Sequence, residues 1–309
     1  MNDIILENNN LIQQERFTEA TDQFLASIVL APTTKDAYRK GLKKFYTFMS
    51  DENITTINDI TAVKYREYLL KNNKAPSVNL YLTAFKRLCK YLNKHYGIGD
   101  ITEELKSVKI TKGNKKDSLT LTQTKELLSL EMNKRDKAII HLFITAGLRE
   151  IELVRADIQD ITNDGDRHIL LVQGKGEETK NNFVILTDST YKIINEYLAE
   201  RKNLKPTDAL FTSDSNRNNN GRLSTSAIRH LVKAKLREIG INTPRISTHS
   251  LRHTAINLII DNGAELLEAQ QFARHKSPTT TQQNYIDVRI NTKAKGKSAD
   301  ILESVLNND

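Results

Sequence analysis

A single cysteine stands in 309 residues. Cys89 has no partner for an internal disulfide, which suits a reducing compartment, and its place in an apolar helical pattern marks it as a small core side chain. No apolar run approaches the roughly 20 residues of a membrane span. The opening Met1–Asn10 is polar and acidic, so no secretory signal peptide is expected. Metal-ligand spacing is also missing. His249 and His253 lie four apart, but Ser250 stands where a zinc-peptidase helix has glutamate, and His253 is expected to be structural. No internal repeat is found, and no low-complexity segment beyond short asparagine runs.

What remains is the composition of an ordinary globular protein, 38% hydrophobic and 27% charged, long enough for two domains with separate cores. The net charge of +8 is unevenly spread. Residues 1–30 carry one base and five acids, residues 31–116 carry 18 bases against 8 acids, and residues 117–309 carry 27 against 25. The excess belongs to one segment of about 85 residues, as expected of a surface that faces phosphates.

Along the chain, residues 1–15 are expected to be a flexible arm. Phe17, Phe24, Leu25 and Ile28 fall on one helical face, which Pro32 should close. A second helix, capped by Thr33 or Thr34, aligns Tyr38, Leu42, Phe45 and Met49 and leaves Lys40, Lys43 and Lys44 outside that stripe. A third helix follows Asp59. A fourth follows Pro76, with Leu82, Phe85, Leu88 and Leu92 inward and Lys86, Arg87, Lys90 and Lys94 outward. Residues 16–112 thus form a helical basic domain. The lysine-rich, apolar-poor stretch around Gly113 and Asn114 has linker composition, placed at 113–118, and brings Lys112, Lys115 and Lys116.

The second domain, 119–309, opens with a helix capped at Thr122. A buried helix follows, broken at Gly147 and resuming through Leu153. Two β-rich runs flank a Gly-Lys-Gly turn and predict a hairpin with Lys175 at its tip. Helices are expected at about 188–202, 224–239, 249–261 and 264–273, and a short apolar helix near residues 298–309. The fold class is mainly α, an all-helical N-terminal domain plus a mixed α+β domain with a small antiparallel sheet.

Four pieces of this second domain carry chemistry: GLREIEL with Arg149 and Glu152, GKG with Lys175, HSLRH with His249 and Arg252, and a tail with His275 and Tyr285. Cleaving a phosphodiester is mainly positioning plus stabilisation of charge on the phosphate oxygens. Arginine offers a planar fork of permanent charge for two such oxygens. Histidine donates to them or takes a proton near neutral pH, lysine can protonate a leaving oxygen, and tyrosine is a nucleophile once a base or positive field draws off its proton. Singly, each residue has a bland reading as a cap, turn or surface side chain; their joint order does not.

In that order and at those spacings, the pieces resemble the tyrosine recombinase (phage integrase) family. The likeness covers the whole second domain, and the helical domain before it resembles that family's SAM-like core-binding domain. The resemblance implies Tyr285 as nucleophile and Arg149, Lys175, His249, Arg252 and His275 as its catalytic company, with Glu152 supporting the site. It further implies a DNA 3′-phosphotyrosine and strand exchange through a Holliday junction, with no metal, cofactor or ATP. The implied partner is double-stranded DNA with an inverted-repeat core site. The chain would be a tetramer on DNA and a monomer or weak oligomer off it, with residues 298–309 docking on a neighbour and accessory DNA-binding proteins allowed.

With only about 20 residues before the first helices, no arm-binding domain is expected, and the expected role is in a mobile element or plasmid (integration and excision, or cointegrate or dimer resolution), in the cytoplasm at the nucleoid. A topoisomerase IB-like relaxing enzyme and a non-catalytic DNA-binding protein are the rival readings. Two features depart from the family pattern. Arg274 stands where glycine usually precedes the second histidine, and His275 to Tyr285 spans ten residues where nine is common.

Overall fold

The computed structural model describes residues 12–54, 56–97, 99–110, 117–174, 176–214 and 221–274. By its internal contacts the chain divides into two units, Met1–Gly113 and Asn114–Asp309.

The first unit is helical: β1 (Ile12–Gln13), α1 (Gln14–Ser27), α2 (Pro32–Asp51), β2 (Thr56–Ile57), α3 (Asp59–Asn72) and α4 (Ala75–Tyr96). β1 pairs antiparallel with β2, so regular structure begins inside the stretch expected to be an arm. Pro32 opens α2 rather than closing α1. Its fixed φ and missing N–H suit the first helical position, where no donor is needed. Ala31 therefore takes the cap position, and Thr33 and Thr34 lie within the first turn.

The predicted apolar stripes pack as a core. Tyr38, Leu42, Phe45 and Met49 of α2 are buried with Leu82, Phe85, Leu88 and Leu92 of α4. Phe45 centres this core, with its ring 4.5 Å from that of Phe85 and 4.8 Å from that of Tyr65. Truncating such a ring to alanine costs about 3–5 kcal/mol. Gly41 lets the helices close, because a Cβ there would lie 2.9 Å from Tyr81 Cδ1. Tyr65 donates its hydroxyl to Gly41 O at 3.0 Å. Cys89 is fully buried, and burial pushes its thiol well above the ordinary range, as befits an inert core group.

The second unit contains α5 (Leu121–Ser129), α6 (Lys134–Thr145), α7 (Glu150–Arg155), β3 (Ile161–Asp164), β4 (Arg167–Val172), β5 (Asn182–Ile185), α8 (Asp188–Leu198), α9 (Thr225–Glu238), α10 (Thr248–Asp261) and α11 (Leu266–Ala273). The cap of α5 is Thr120, not Thr122. Thr120 Oγ1 accepts from Gln123 N at 3.2 Å, and Gln123 Oε1 accepts from Thr120 N at 3.0 Å. Only Thr120 has glutamine three residues on, the requirement of a capping box.

The sheet has three antiparallel strands in the order β3-β4-β5. The tight turn joins β3 to β4, where Asp164 pairs with Arg167 and Gly165 takes φ 64°. The predicted hairpin is formed by β4 and β5, which pair antiparallel, and the Gly-Lys-Gly segment falls in their connection, residues 173–181. α6 is buried along most of its length, in a core completed by Leu170 of β4, Ile194 of α8, Ile228 and Val232 of α9, and Leu251 of α10. A smaller cluster, Ile256 of α10 with Ala269 and Ala273 of α11, fixes these last two helices against each other.

Candidate active site

The chain leaves α6 at Thr145, turns at Gly147 with φ 55° and re-enters a helix at Glu150. Arg149 sits at the cap position of α7, half-buried, with its backbone held in place by Glu152. Oε2 of Glu152 accepts from Arg149 N at 2.7 Å, and Oε1 accepts from Arg149 Nη1 at 2.6 Å. Glu152 is 1% exposed. A bare carboxylate there would be very costly, and the guanidinium groups offset that cost.

Arg252 is carried by α10, whose Leu251, Ala255 and Ile256 are buried. Arg252 itself is 1% exposed, the largest fully buried side chain among the described residues. Its Nη1 donates to Gly147 O and its Nη2 to Ala273 O. Arg149 Nη2 donates to the same Ala273 O at 3.2 Å and to Arg274 O at 3.0 Å. Two arginines from motifs about a hundred residues apart thus meet at the C-terminus of α11. The reason is elementary: the last carbonyls of a helix lack intrahelical donors and carry the negative end of its dipole.

A third arginine joins them. Arg274 takes the left-handed position after α11, φ 49° and ψ 47°. Its Nη2 donates to Glu152 Oε2 at 2.7 Å and to Gly147 O at 3.1 Å, and its Nη1 donates to Phe272 O at 3.0 Å. Its Nε has no acceptor among the described residues. Burial works against the charge on Glu152, yet Arg274 and Arg149 outweigh it and hold the carboxyl below its usual range. Burial likewise lowers Arg274, with Glu152 pulling it back up. Three guanidinium groups against one carboxylate leave an excess of two positive charges.

His249 lies in the first turn of α10, exposed, with its ring edge-on to His253 at 4.5 Å. Lys175 lies outside the described residues, as do His275 and Tyr285, and the tail segment 298–309. The residues flanking Lys175 are held: Gly174 O accepts from Arg155 at 2.7 Å, Gly174 N donates to Glu177 at 3.1 Å, and Lys180 Nζ donates to Asp157 at 2.7 Å and to Asp160.

In the first unit, Lys40, Lys43, Lys44 and Lys90 are exposed. The ammonium of Lys86 donates to Leu105 O within the unit. Arg87 donates to Tyr38 Oη at 3.3 Å and lies 5.9 Å from that ring. Lys112, Lys115 and Lys116 lie outside the described residues.

Arg274 as a member of the site was not foreseen from the sequence. The signal was present, since Arg274 is one of the two departures from the pattern of the family that the sequence resembles.

The phage integrase family model matches residues 117–291, and its N-terminal SAM-like domain matches residues 22–95. The chain belongs to the phage integrase family. As a tyrosine recombinase it is a DNA strand transferase. It is 28% identical over 293 residues to tyrosine recombinase XerA of Pyrococcus horikoshii, covering 94% of this chain and 96% of that one. It is 32% identical over 283 residues to tyrosine recombinase XerC of Caldanaerobacter subterraneus, covering 82% and 77%. In fold it is similar to XerH site-specific recombinase bound to palindromic difH substrate in a post-cleavage complex, with TM-score 0.70, 19% identity, and 84% and 78% coverage. A lambda integrase dimer bound to a COC′ core site gives TM-score 0.67, 15% identity, and 89% and 77% coverage. Among the described residues no helix is long and apolar enough to cross a membrane.

Proposed function

We propose that this recombinase acts at a defined DNA site through a covalent 3′-phosphotyrosyl intermediate. The observation that carries the reading is the meeting of Arg149 and Arg252 on Ala273 O, two residues before His275. Arg252 now rests on main-chain carbonyls, and Arg149 on carbonyls and the Glu152 carboxylate, the acceptors that phosphate oxygens would replace. The phenol oxygen of Tyr285 attacks the scissile phosphorus, and its proton passes to a histidine, His249 or His275. The bond from phosphorus to the 5′ oxygen breaks, and Lys175 supplies the proton that makes it a 5′-hydroxyl. Arg149 and Arg252 stabilise the added charge on the non-bridging oxygens, while Glu152, which accepts from Arg149 N, keeps the backbone of Arg149 in register. The ester conserves the bond energy, so rejoining needs no ATP.

In this reading Lys40, Lys43, Lys44, Arg87 and Lys90, with Lys112, Lys115 and Lys116 of the linker, approach the DNA backbone. The DNA carries an inverted-repeat core site. Four protomers exchange strands through a Holliday junction, residues 298–309 dock on a neighbour, and the enzyme serves a mobile element or plasmid at the nucleoid.

The test is covalent capture from a library of nicked suicide duplexes, followed by sequencing of the attached DNA. An adduct at one inverted-repeat site, absent in Tyr285→Phe although that variant still binds, is the expected result. Adducts without sequence preference would favour a topoisomerase-like enzyme, and an adduct formed by Tyr285→Phe would sink the assignment.

A further inference from the structure

Glycine is the residue for the left-handed position after a helix, because a Cβ there costs about 1 kcal/mol or more. Here that position holds an arginine at φ 49°. Its side chain does not reach solvent; it is 7% exposed and turned inward onto Glu152. The conformational cost is therefore accepted at a residue whose guanidinium lies inside the site.

Glu152 Oε2 serves two donors, the backbone N–H of Arg149 and Nη2 of Arg274, while Oε1 serves Nη1 of Arg149. With glycine at 274, Arg149 would be the only guanidinium on a carboxylate that is 1% exposed. Turning its fork to a phosphate would then strip a buried anion of its only countercharge. With arginine at 274, the carboxylate stays paired when Arg149 leaves. The site then presents Arg149 and Arg252 to the phosphate undiminished by Glu152.

We propose that Arg274 is a positioning residue: it keeps Glu152 neutralised, so that Arg149 can transfer its fork from the carboxylate to the scissile phosphate. Arg274 acts through Glu152 and not on the DNA. This role rests on the function proposed above.

The test uses the full chain on the duplex captured from the library, with adduct formation measured in a single turnover and site affinity measured separately. Arg274→Gly suits the left-handed backbone, and Arg274→Asn is a second neutral variant that tolerates it. Both should slow adduct formation by roughly tenfold or more, the effect of one charge-assisted hydrogen bond expressed as a rate, with affinity unchanged within about twofold. Arg274→Lys should restore much of the rate. In a Glu152→Gln background, removing Arg274 should change the rate by less than about twofold, since no carboxylate remains to neutralise.

An unchanged rate in Arg274→Gly would overturn the proposal. So would an equal loss in the Glu152→Gln background, which would put Arg274 on the DNA, or a fall in affinity that accounts for the whole effect. A wild-type chain that forms no adduct on any duplex would instead refute the functional reading, and this role with it.

Discussion

Gly147 is the residue on which the site's geometry turns, and Gly147→Ala tests it. Its backbone sits at φ 55°, its carbonyl accepts from Arg252 and Arg274, and a Cβ built there would lie 2.6 Å from Cε1 and 3.0 Å from Cζ of Phe272. Two costs follow. The left-handed conformation costs an alanine about 1–2 kcal/mol, and forcing a methyl against a packed ring costs about 1–3 kcal/mol. The sum is about 2–5 kcal/mol.

Gly165→Ala separates the two terms, because Gly165 has φ 64° with nothing within 4 Å of the built Cβ. It should lose only the conformational part. Urea unfolding of the full chain, followed on the transition of the second unit, reads both variants. Gly147→Ala should also lose covalent capture, because Phe272 lies on α11, whose end holds all three arginines, while Gly165→Ala should cleave normally. Equal destabilisation by the two substitutions would mean that the Phe272 ring yields at no cost, and the reasoning about Gly147 would be refuted.

Lys43→Ala should lower the slope of log affinity against log salt by about one phosphate contact, whereas Lys86→Ala should leave the slope alone and cost about 1 kcal/mol of stability, read by thermal melting. Glu152→Gln should change the acid limb of stability. The carboxyl of Glu152 is depressed in the folded chain, so its contribution is fully present above the ordinary glutamate value of about 4.3 and fades as pH falls through the depressed value. The glutamine variant should be less stable at neutral pH, and its loss below about pH 4 shallower; parallel curves would contradict the pairing. Arg149→Lys should retain DNA binding and lose cleavage by on the order of a hundredfold, because a point charge cannot span two oxygens, and near-normal capture would remove Arg149 from the role proposed for it.

Much of this was legible in the sequence, for reasons that can be named. The stripes of α2 and α4 follow the helical period over 20 and 22 residues, long enough for packing to obey them. The break at Gly147 and the start of α10 at HSLRH were legible because glycine and the HxxRH spacing leave few alternatives. The errors were local. Pro32 can end one helix or begin the next, and only the place where α1 stops decides. Thr120 and Thr122 are equal as cap residues until Gln123 is counted. The hairpin around Lys175 was legible, since β4 does pair antiparallel with β5, but β3 was not, because its four residues ITND are mostly polar and exposed and carry no apolar alternation. What the sequence could not show is that carbonyl oxygens at residues 147 and 273 hold the arginines, since every residue type brings the same carbonyl.

That last point bears on how the site is built. Two guanidinium groups sharing one acceptor repel each other, and burial of Arg252 removes the water that would screen them. The arrangement holds because Ala273 O lies at a helix C-terminus, where several unpaired carbonyls and the dipole act together. α11 is only eight residues long and gains little from helix propensity, so its geometry depends on the seam of Ala269 and Ala273 against Ile256 of α10. The alanine side chains are small there, which lets α11 pack closely on α10, and Arg252 of α10 bonds both Gly147 O and Ala273 O. The positive charges are therefore placed by backbone and by apolar packing before any phosphate arrives. This is preorganisation in its physical sense: the cost of gathering like charges is met by folding, and what is left to the reaction is the exchange of acceptors at Arg149.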